Sequence, residues 1–233
     1  MSSGASSAAA AAPAVSPAPS SPSFRLFRSP IHLFVLVILT VLAATGMVPA
    51  SDIGFAILSI PYIYFLSVFS FPALAPGPSP SVFGDRKRNR IRATYVLVSA
   101  IIGLYLPIAY ILEGVFNGDR DGIKPAARHL FLLSCQVFME GVTFSQAFSL
   151  PVRAFVPVAY NSRRLFSIAD WSRSEFAKVE QQQQGLGLRL LAGKGLVMAN
   201  MAFWAFNLFG FLLPVYLPRA LKRYYSIAHT SKD

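Results

Sequence analysis

The sequence has little charge and almost no cysteine. Charged residues make up 13% of its 233 positions, against about 25% in soluble domains, so the chain lacks the polar surface to cover a water-soluble globule of this size. Its one cysteine, Cys135, excludes an intrachain disulfide and a thiolate zinc site, and sits in an apolar run as a small packing residue. The three histidines, at 32, 129 and 229, are scattered, and carboxylates are too sparse around them for a metal site. A nucleophile elbow, a phosphate-cradling glycine loop and a His-rich motif are all missing, and no acid–base pair converges. Neither a catalytic residue nor a cofactor is expected.

One stretch imitates a calcium loop. In "NGDRDGIKPAAR", Asn117, Asp119, Asp121 and Gly122 match the first, third, fifth and sixth positions, but the twelfth is Arg128 instead of a bidentate glutamate and the ninth is Pro125. A cation at the closing position repels calcium, and a polar turn is the better reading.

What the chain does have is long apolar blocks; 54% of its residues are hydrophobic. Blocks of about 18 or more apolar residues read as bilayer spans. Five are expected, over about 30–48, 53–71, 93–112, 126–148 and 196–217. Pro49 to Asp52 form a tight turn, making a hairpin of the first two; Pro61, inside the second, is tolerated because neighbouring groups satisfy the freed carbonyl. Residues 1–29 are a Ser/Ala/Pro-rich tail that cannot bury enough apolar surface to order itself, although its composition also fits a plastid transit peptide. Residues 30–228 form the helical domain and 229–233 a short tail.

The net charge of +11 is placed at the ends of the apolar blocks, which suits lipid headgroups and not nucleic acid. Arg86, Lys87, Arg88, Arg90 and Arg92 cluster before the third span. They give the main orientation signal, placing that loop in the cytosol, and are candidate contacts for anionic lipid. With five spans and a cytosolic amino terminus, the inside segments hold 14 bases and the outside segments 7; the basic carboxyl tail then lies outside, against the rule. A last block that dips in and returns, or a crossing within 149–165, brings the tail inside.

Between the last two spans, Leu165, Ile168, Ala169, Phe176 and Val179 form an apolar stripe at helical spacing, with Arg163, Asp170, Arg173 and Lys178 away from it. The pattern predicts an amphipathic helix over about 162–180, lying in the headgroup layer or packed on the protein's own spans. Gln181 to Gln184 and Gly185 read as a flexible exit.

The fourth expected span carries a polar stripe. His129, Gln136, Glu140 and Thr143 are 7, 4 and 3 residues apart, within about 40° of one direction at ~100° per residue. Gln136 and Glu140, one turn apart, can hydrogen-bond. An ionised carboxylate in a span must be neutralised, paired or wetted. Gly193, Asn200, Asn207 and Pro214 repeat every seven residues on the fifth span, and Asn200 or Asn207 is the expected partner of Glu140. Tyr62, Tyr64, Tyr105 and Tyr110 could add hydroxyls, and Ser99 with Gly103 suits close helix contact. The candidate seam of His129, Gln136, Glu140, Thr143, Asn200 and Asn207 either fixes helix pairing or binds a proton or small solute.

The stretches "GLYLPIAYILEGVFNGDRDGIKPAARHLFLLSCQVFMEGVTFS", "PVRAFVPVAYNSRRLFSIADWSRSE" and "NMAFWAFNLFGFLLPVYLPRA", with "ATGMV" ending the first span, resemble a plant family of uncharacterised multi-pass membrane proteins. The likeness covers roughly 30–228. It implies a plant membrane protein and supplies no catalytic residue. The expectation is an all-helical membrane protein of about five spans and one amphipathic helix. It would be a non-enzymatic endomembrane component (ER or secretory pathway, alternatively plastid) whose partners are the bilayer, anionic lipids and other membrane proteins.

Overall fold

The computed structural model describes residues 30–74, 88–144, 148–178 and 184–230. Among them every regular element is helical: α1 (Pro30–Ala44), α2 (Ala50–Phe65), α3 (Arg88–Ala100), α4 (Leu106–Phe116), α5 (Arg120–Thr143), α6 (Leu150–Ala177), α7 (Gln184–Ala205) and α8 (Leu217–Thr230). Three π-helical segments extend or join them: Leu66–Ser70 prolongs α2, Ile101–Tyr105 fuses α3 to α4, and Phe206–Tyr216 fuses α7 to α8. The described residues thus form six rods.

Local chemistry sets the breaks. Gly46 turns the chain between α1 and α2 with φ 68°, and Gly118 does the same between α4 and α5 with φ 75°, a backbone region that side-chain-bearing residues avoid. Asp119 caps α5 by accepting from the Gly122 N–H at 2.9 Å, so this part of the calcium-like stretch is a helix start. The π segment at 101–105 precedes Pro107. A proline has no N–H to give the carbonyl four residues back, and its ring crowds that carbonyl, so the helix widens before it. Leu106 N–H turns to Ile101 O, which leaves the Ile102 and Gly103 carbonyls for other donors.

Helix α5 is the centre of the bundle. It packs on α1, α4 and, most extensively, antiparallel on α6. Ile123, Ala126, Ala127 and Leu132 are wholly buried along it, against Val152, Val156, Ile168 and Trp171 of α6. The small alanines let neighbouring backbones approach closely.

Among the described residues, three helices are long and apolar enough to cross a membrane: Ala50–Ser70, Ala93–Phe116 and Gly187–His229; Leu33–Ala44 is a shorter apolar helix. They turn large apolar side chains outward: Phe69 is 72% exposed, Phe116 86% and Leu188 75%. The interior holds polar groups instead, including Asp52, His129, Arg153, Asn161, Arg164, Glu175, Asn200 and Asn207.

The helices are drawn differently from the sequence expectation at three places. The stretch expected as the fourth span, 126–148, lies mainly in α5, which starts six residues earlier and carries its polar groups inside a ring of other helices; hydropathy alone cannot tell a lipid-facing rod from an enclosed one. The helix expected over 162–180 is the second half of α6, which runs the full length of the bundle. Ile168 and Trp171 are buried against α5 and its neighbours, while Phe176 is exposed, so the stripe packs on the protein. Gln184, placed in a flexible exit, begins α7. The tails 1–29 and 231–233, Val179 and Gln181 to Gln183 lie outside the described residues.

Candidate functional site

The α6 helix brings Arg164 into the middle of the bundle, opposite the polar stripe of α5. Its side chain is 0% exposed. Nη1 donates to Gln136 Oε1 at 2.9 Å and Nη2 to Asn161 Oδ1 at 2.9 Å, while the guanidinium carbon lies 3.8 Å from the centre of the Trp204 ring. Gln136 in turn donates from Nε2 to Glu140 Oε1 at 2.8 Å. One amide therefore links a buried cation to a partly buried carboxylate, its carbonyl facing the arginine and its NH2 the glutamate. That orientation is the only one in which both contacts are donor to acceptor.

The seam continues through Trp204. Its indole N–H donates to Asn200 Oδ1 at 3.1 Å, its carbonyl accepts from Asn161 Nδ2 at 3.2 Å, and Asn200 Nδ2 donates to Ile102 O and Leu196 O, both at 3.0 Å. His129 Nε2 lies 3.2 Å from Gly103 O. Since a carbonyl only accepts, Nε2 carries the proton and Nδ1 the lone pair. The two carbonyls freed by Pro107 are thus taken by the two seam residues Asn200 and His129. Gly103 is needed at this crossing: a Cβ there would stand 2.6 Å from Trp204 Cζ2.

The structure redistributes the expected partners. Gln136 and Glu140 are bonded to each other, but Asn200 bonds Ile102 O, Leu196 O and Trp204 instead of Glu140. Asn207 is buried in the π segment, and Thr143 bonds back to Met139 O and Glu140 O. Tyr62, Tyr64 and Tyr105 face outward; Tyr110 is buried and donates to Glu175. Sequence reasoning missed Arg164 and its neighbour Asn161 because both fell in a stretch read as surface. The signal was the pair Asn161 and Arg164, one turn apart, on a helix whose first half is otherwise rich in Val, Ala and Pro. Three polar atoms in this region are buried without a hydrogen-bond partner among the described residues: Arg164 Nε, His129 Nδ1 and Tyr95 Oη.

Ionic clusters close one end of the bundle. Asp52, wholly buried, receives Arg128 Nε at 2.9 Å and Arg163 Nη2 at 2.6 Å; Arg128 also reaches Asp170 at 3.0 Å. These four residues tie α2, α5 and α6. Beside them, buried Glu175 accepts from Lys178 at 2.7 Å and Trp171 Nε1 at 3.3 Å, and Arg189 bridges Glu113 at 2.6 Å and Asp119 at 3.0 Å, tying α4, α6 and α7. Asp121 is exposed and paired with Lys124 at 2.7 Å, which holds its carboxyl below the usual range.

The opposite end holds the start of α6, the end of α2 and α8. Ser149 Oγ donates to Phe71 O at 2.7 Å, and Tyr224 Oη to Pro72 O at 3.1 Å. Of the basic cluster, Arg88, Arg90 and Arg92 belong to the first turns of α3, which lead toward this end, while Arg86 and Lys87 lie outside the described residues.

The chain belongs to the family described as Domain of unknown function (DUF7733), which it matches over residues 25–225. No curated protein and no solved structure matches it. Family membership therefore carries no activity, and the chemistry must be read from the seam itself.

Proposed function

We propose that this protein is a multi-pass integral membrane protein, a non-enzymatic component of an endomembrane of the ER or secretory pathway, which acts through protein and lipid contacts. The observation that carries this reading is the inverted distribution of side chains: apolar residues outward on three long rods, charged and amide groups inward. Such an arrangement is stable where the surroundings are hydrocarbon. The bundle crosses with six rods in place of the five spans expected from hydropathy, because α6 adds one. An even number returns the chain to the side it began on. By chain order, twelve bases then flank the end with the start of α1 and the end of α8, and eight flank the other, so the first end is cytosolic by the positive-inside rule. Resistance to alkaline carbonate extraction tests the membrane reading; release of intact protein without detergent would overturn it. Imaging of a tagged protein separates the secretory pathway from the plastid alternative.

In this reading the seam specifies which helices pair. A buried Arg164 linked through Gln136 to Glu140 admits one register of α5 against α6, since a shift leaves a charge uncompensated. A second reading, a small transporter or channel, is favoured by one observation: Arg164 Nε, His129 Nδ1 and Tyr95 Oη have no hydrogen-bond partner among the described residues, so water or a small polar solute has groups to bind. Glu140→Gln separates the two, because it keeps shape and removes the titratable charge. Unchanged folding with lost, pH-dependent flux in proteoliposomes supports transport; an unaltered flux baseline supports the structural role.

A further inference from the structure

The α3–α4 rod and the last rod are joined at two levels. Near the middle of the bundle Asn200 Nδ2 donates to Ile102 O at 3.0 Å, and at the end closed by the ionic clusters Arg189 pairs with Glu113 at 2.6 Å. The two levels lie eleven residues apart on each rod, about 16 Å along the axis. Both carry bulk. The Trp204 ring fills the space beside Gly103 and the Arg189 guanidinium that beside Gly114, where an added Cβ would stand 2.6 Å and 3.0 Å from them. Between these wedges α7 turns Ala192, Gly195 and Ala199 toward Leu106, Tyr110 and Glu113 of α4. Small residues ordinarily let helices close on each other, but here the wedges hold the rods apart and leave a groove of about 560 Å³. That lies within the usual size of ligand sites, about 300–1,000 Å³. Behind it the rods touch, a Cβ on Gly193 standing 3.2 Å from Tyr110 Cε2, whereas a Cβ on Gly195 meets nothing within 4 Å. The rim residues Leu106 and Leu188 are exposed, so the groove is closed inward and open outward.

Depth and charge identify what fits. No charged residue occurs between Arg92 and Glu113, so the Glu113 end lies where hydrocarbon gives way to headgroups. The Asn200 end is deeper by about half of the ~30 Å core, which makes the groove one leaflet long. Lys194, which falls between the two levels, turns aside over the Phe176 ring at 5.6 Å. At the shallow end stands a pair of opposite charges. The Arg189 guanidinium has five N–H groups, more than Glu113 and Asp119 take up, and the Glu113 side chain is 42% exposed. A headgroup that carries both a phosphate and an ammonium complements this pair charge for charge, whereas one of net negative charge meets Glu113 with repulsion.

We propose that this groove binds one acyl chain of a zwitterionic phospholipid from the leaflet on the side of the α4–α5 turn, with the phosphate on Arg189 and the ammonium on Glu113. This rests on the membrane reading above and adds to it a site and a ligand class. The small residues of α7 then have a use that the protein's own packing does not give them: they make room for the chain.

The test uses the full-length protein in phosphatidylcholine vesicles doped with phosphatidylethanolamine or phosphatidylglycerol, each carrying a photoreactive diazirine on one acyl chain, and maps the labelled peptides after irradiation. Label from phosphatidylethanolamine is expected to concentrate on residues 106–113 and 188–199 and to exceed that from phosphatidylglycerol. Gly195→Leu starts from open space, fills the groove, and should reduce the label there to the level of the other outward faces. Gly54→Leu, the same change at another open glycine, should leave it unchanged. Glu113→Gln keeps the volume and should lower the ratio of phosphatidylethanolamine to phosphatidylglycerol label about fivefold, the worth of one charge beside a headgroup. Label spread evenly over all outward faces, an unaltered ratio in Glu113→Gln, or equal losses in the two leucine variants would each overturn the proposal. So would ready disulfide-linked dimers of Gly195→Cys in a Cys135→Ala background, which would seat a second copy of the chain in the groove. Carbonate extraction of the same preparations keeps the readings apart: protein that stays in the membrane but labels evenly sinks this inference alone, and protein that leaves the membrane sinks the membrane reading.

Discussion

The guanidinium of Arg164 lies 3.8 Å from the centre of the Trp204 ring, and that contact joins α6 to the last rod at the level where α5 presents Gln136. A cation with no direct carboxylate is stabilised here by an aromatic face, two amide oxygens and a glutamate one amide away. Removing the cation but not its partners should cost more than removing both. Arg164→Met is expected to destabilise the fold by about 3–5 kcal/mol, the usual loss when one side of a buried charge pair goes. Arg164→Lys should recover only part, because an ammonium cannot serve two acceptors from one plane. In a double-mutant cycle with Glu140→Gln the losses should be less than additive, by about 0.5–3 kcal/mol, measured by thermal unfolding in nanodiscs. Strict additivity would mean that Gln136 does not couple the two charges.

Close helix contacts give a second expectation, with its own control. A Cβ on Gly114 would stand 2.1 Å from Ile123 Cγ2, and one on Gly103 2.6 Å from Trp204 Cζ2, whereas Gly54 has nothing within 4 Å. Gly114→Ala and Gly103→Ala should each destabilise by about 1–3 kcal/mol through overpacking. Gly54→Ala, in the outward part of α2, should be neutral or stabilising by up to about 1 kcal/mol, the helix-propensity gain. Melting temperatures of the three variants, compared side by side, check the ordering; a harmful Gly54→Ala with a silent Gly114→Ala would contradict the packing of α4 on α5.

The ionic clusters should be unequal in worth. Asp52 is wholly buried and serves two arginines, while Arg173 is largely exposed beside Asp170. Asp52→Asn should cost about 3–5 kcal/mol, because Arg128 and Arg163 lose their shared anion. Arg173→Gln should cost less than about 1 kcal/mol, the ordinary value of a solvated pair. Raised salt should narrow any Arg173 effect and leave the Asp52 effect nearly intact. Denaturation series at two salt concentrations give both comparisons.

Much of this arrangement is legible in the residues, and the part that is not has a physical reason. Apolar runs place α2, α3–α4 and the last rod because length and composition alone define them. The hydrogen bond between Gln136 and Glu140 follows from one-turn spacing. What faces them does not follow, because a helix pattern fixes a direction on its own axis and says nothing of the neighbour across it. Arg164 is hidden for that reason: on sequence it is one of several bases in a charged stretch, and only the antiparallel docking of α6 on α5 turns it inward. The bonds of Asn200 and His129 were obscured differently. Their acceptors are backbone carbonyls released by Pro107, and a carbonyl leaves no trace in side-chain patterning, although a proline four residues after Gly103 marks where one is set free.

Sidedness separates the six-rod arrangement from the five-span expectation most sharply. In the five-span threading, position 121 lies outside with the carboxyl tail, and position 173 lies inside. With α6 running the length of the bundle, 121 and 173 share one side and 222 lies on the other. The chain is well suited to the measurement, since its one cysteine, Cys135, is buried and can be replaced by alanine. In that background Asp121→Cys, Arg173→Cys and Lys222→Cys place single thiols at exposed positions. A membrane-impermeant maleimide added to sealed vesicles should label 121 and 173 together, and 222 only after the vesicles are opened, or the reverse in inverted vesicles. Labelling of 121 with 222, and of 173 apart from both, would restore five crossings and move α6 out of the bilayer. Because Arg164 reaches Gln136 only if α6 lies antiparallel inside the bundle, that same outcome would also separate the charge from the seam it is proposed to stabilise.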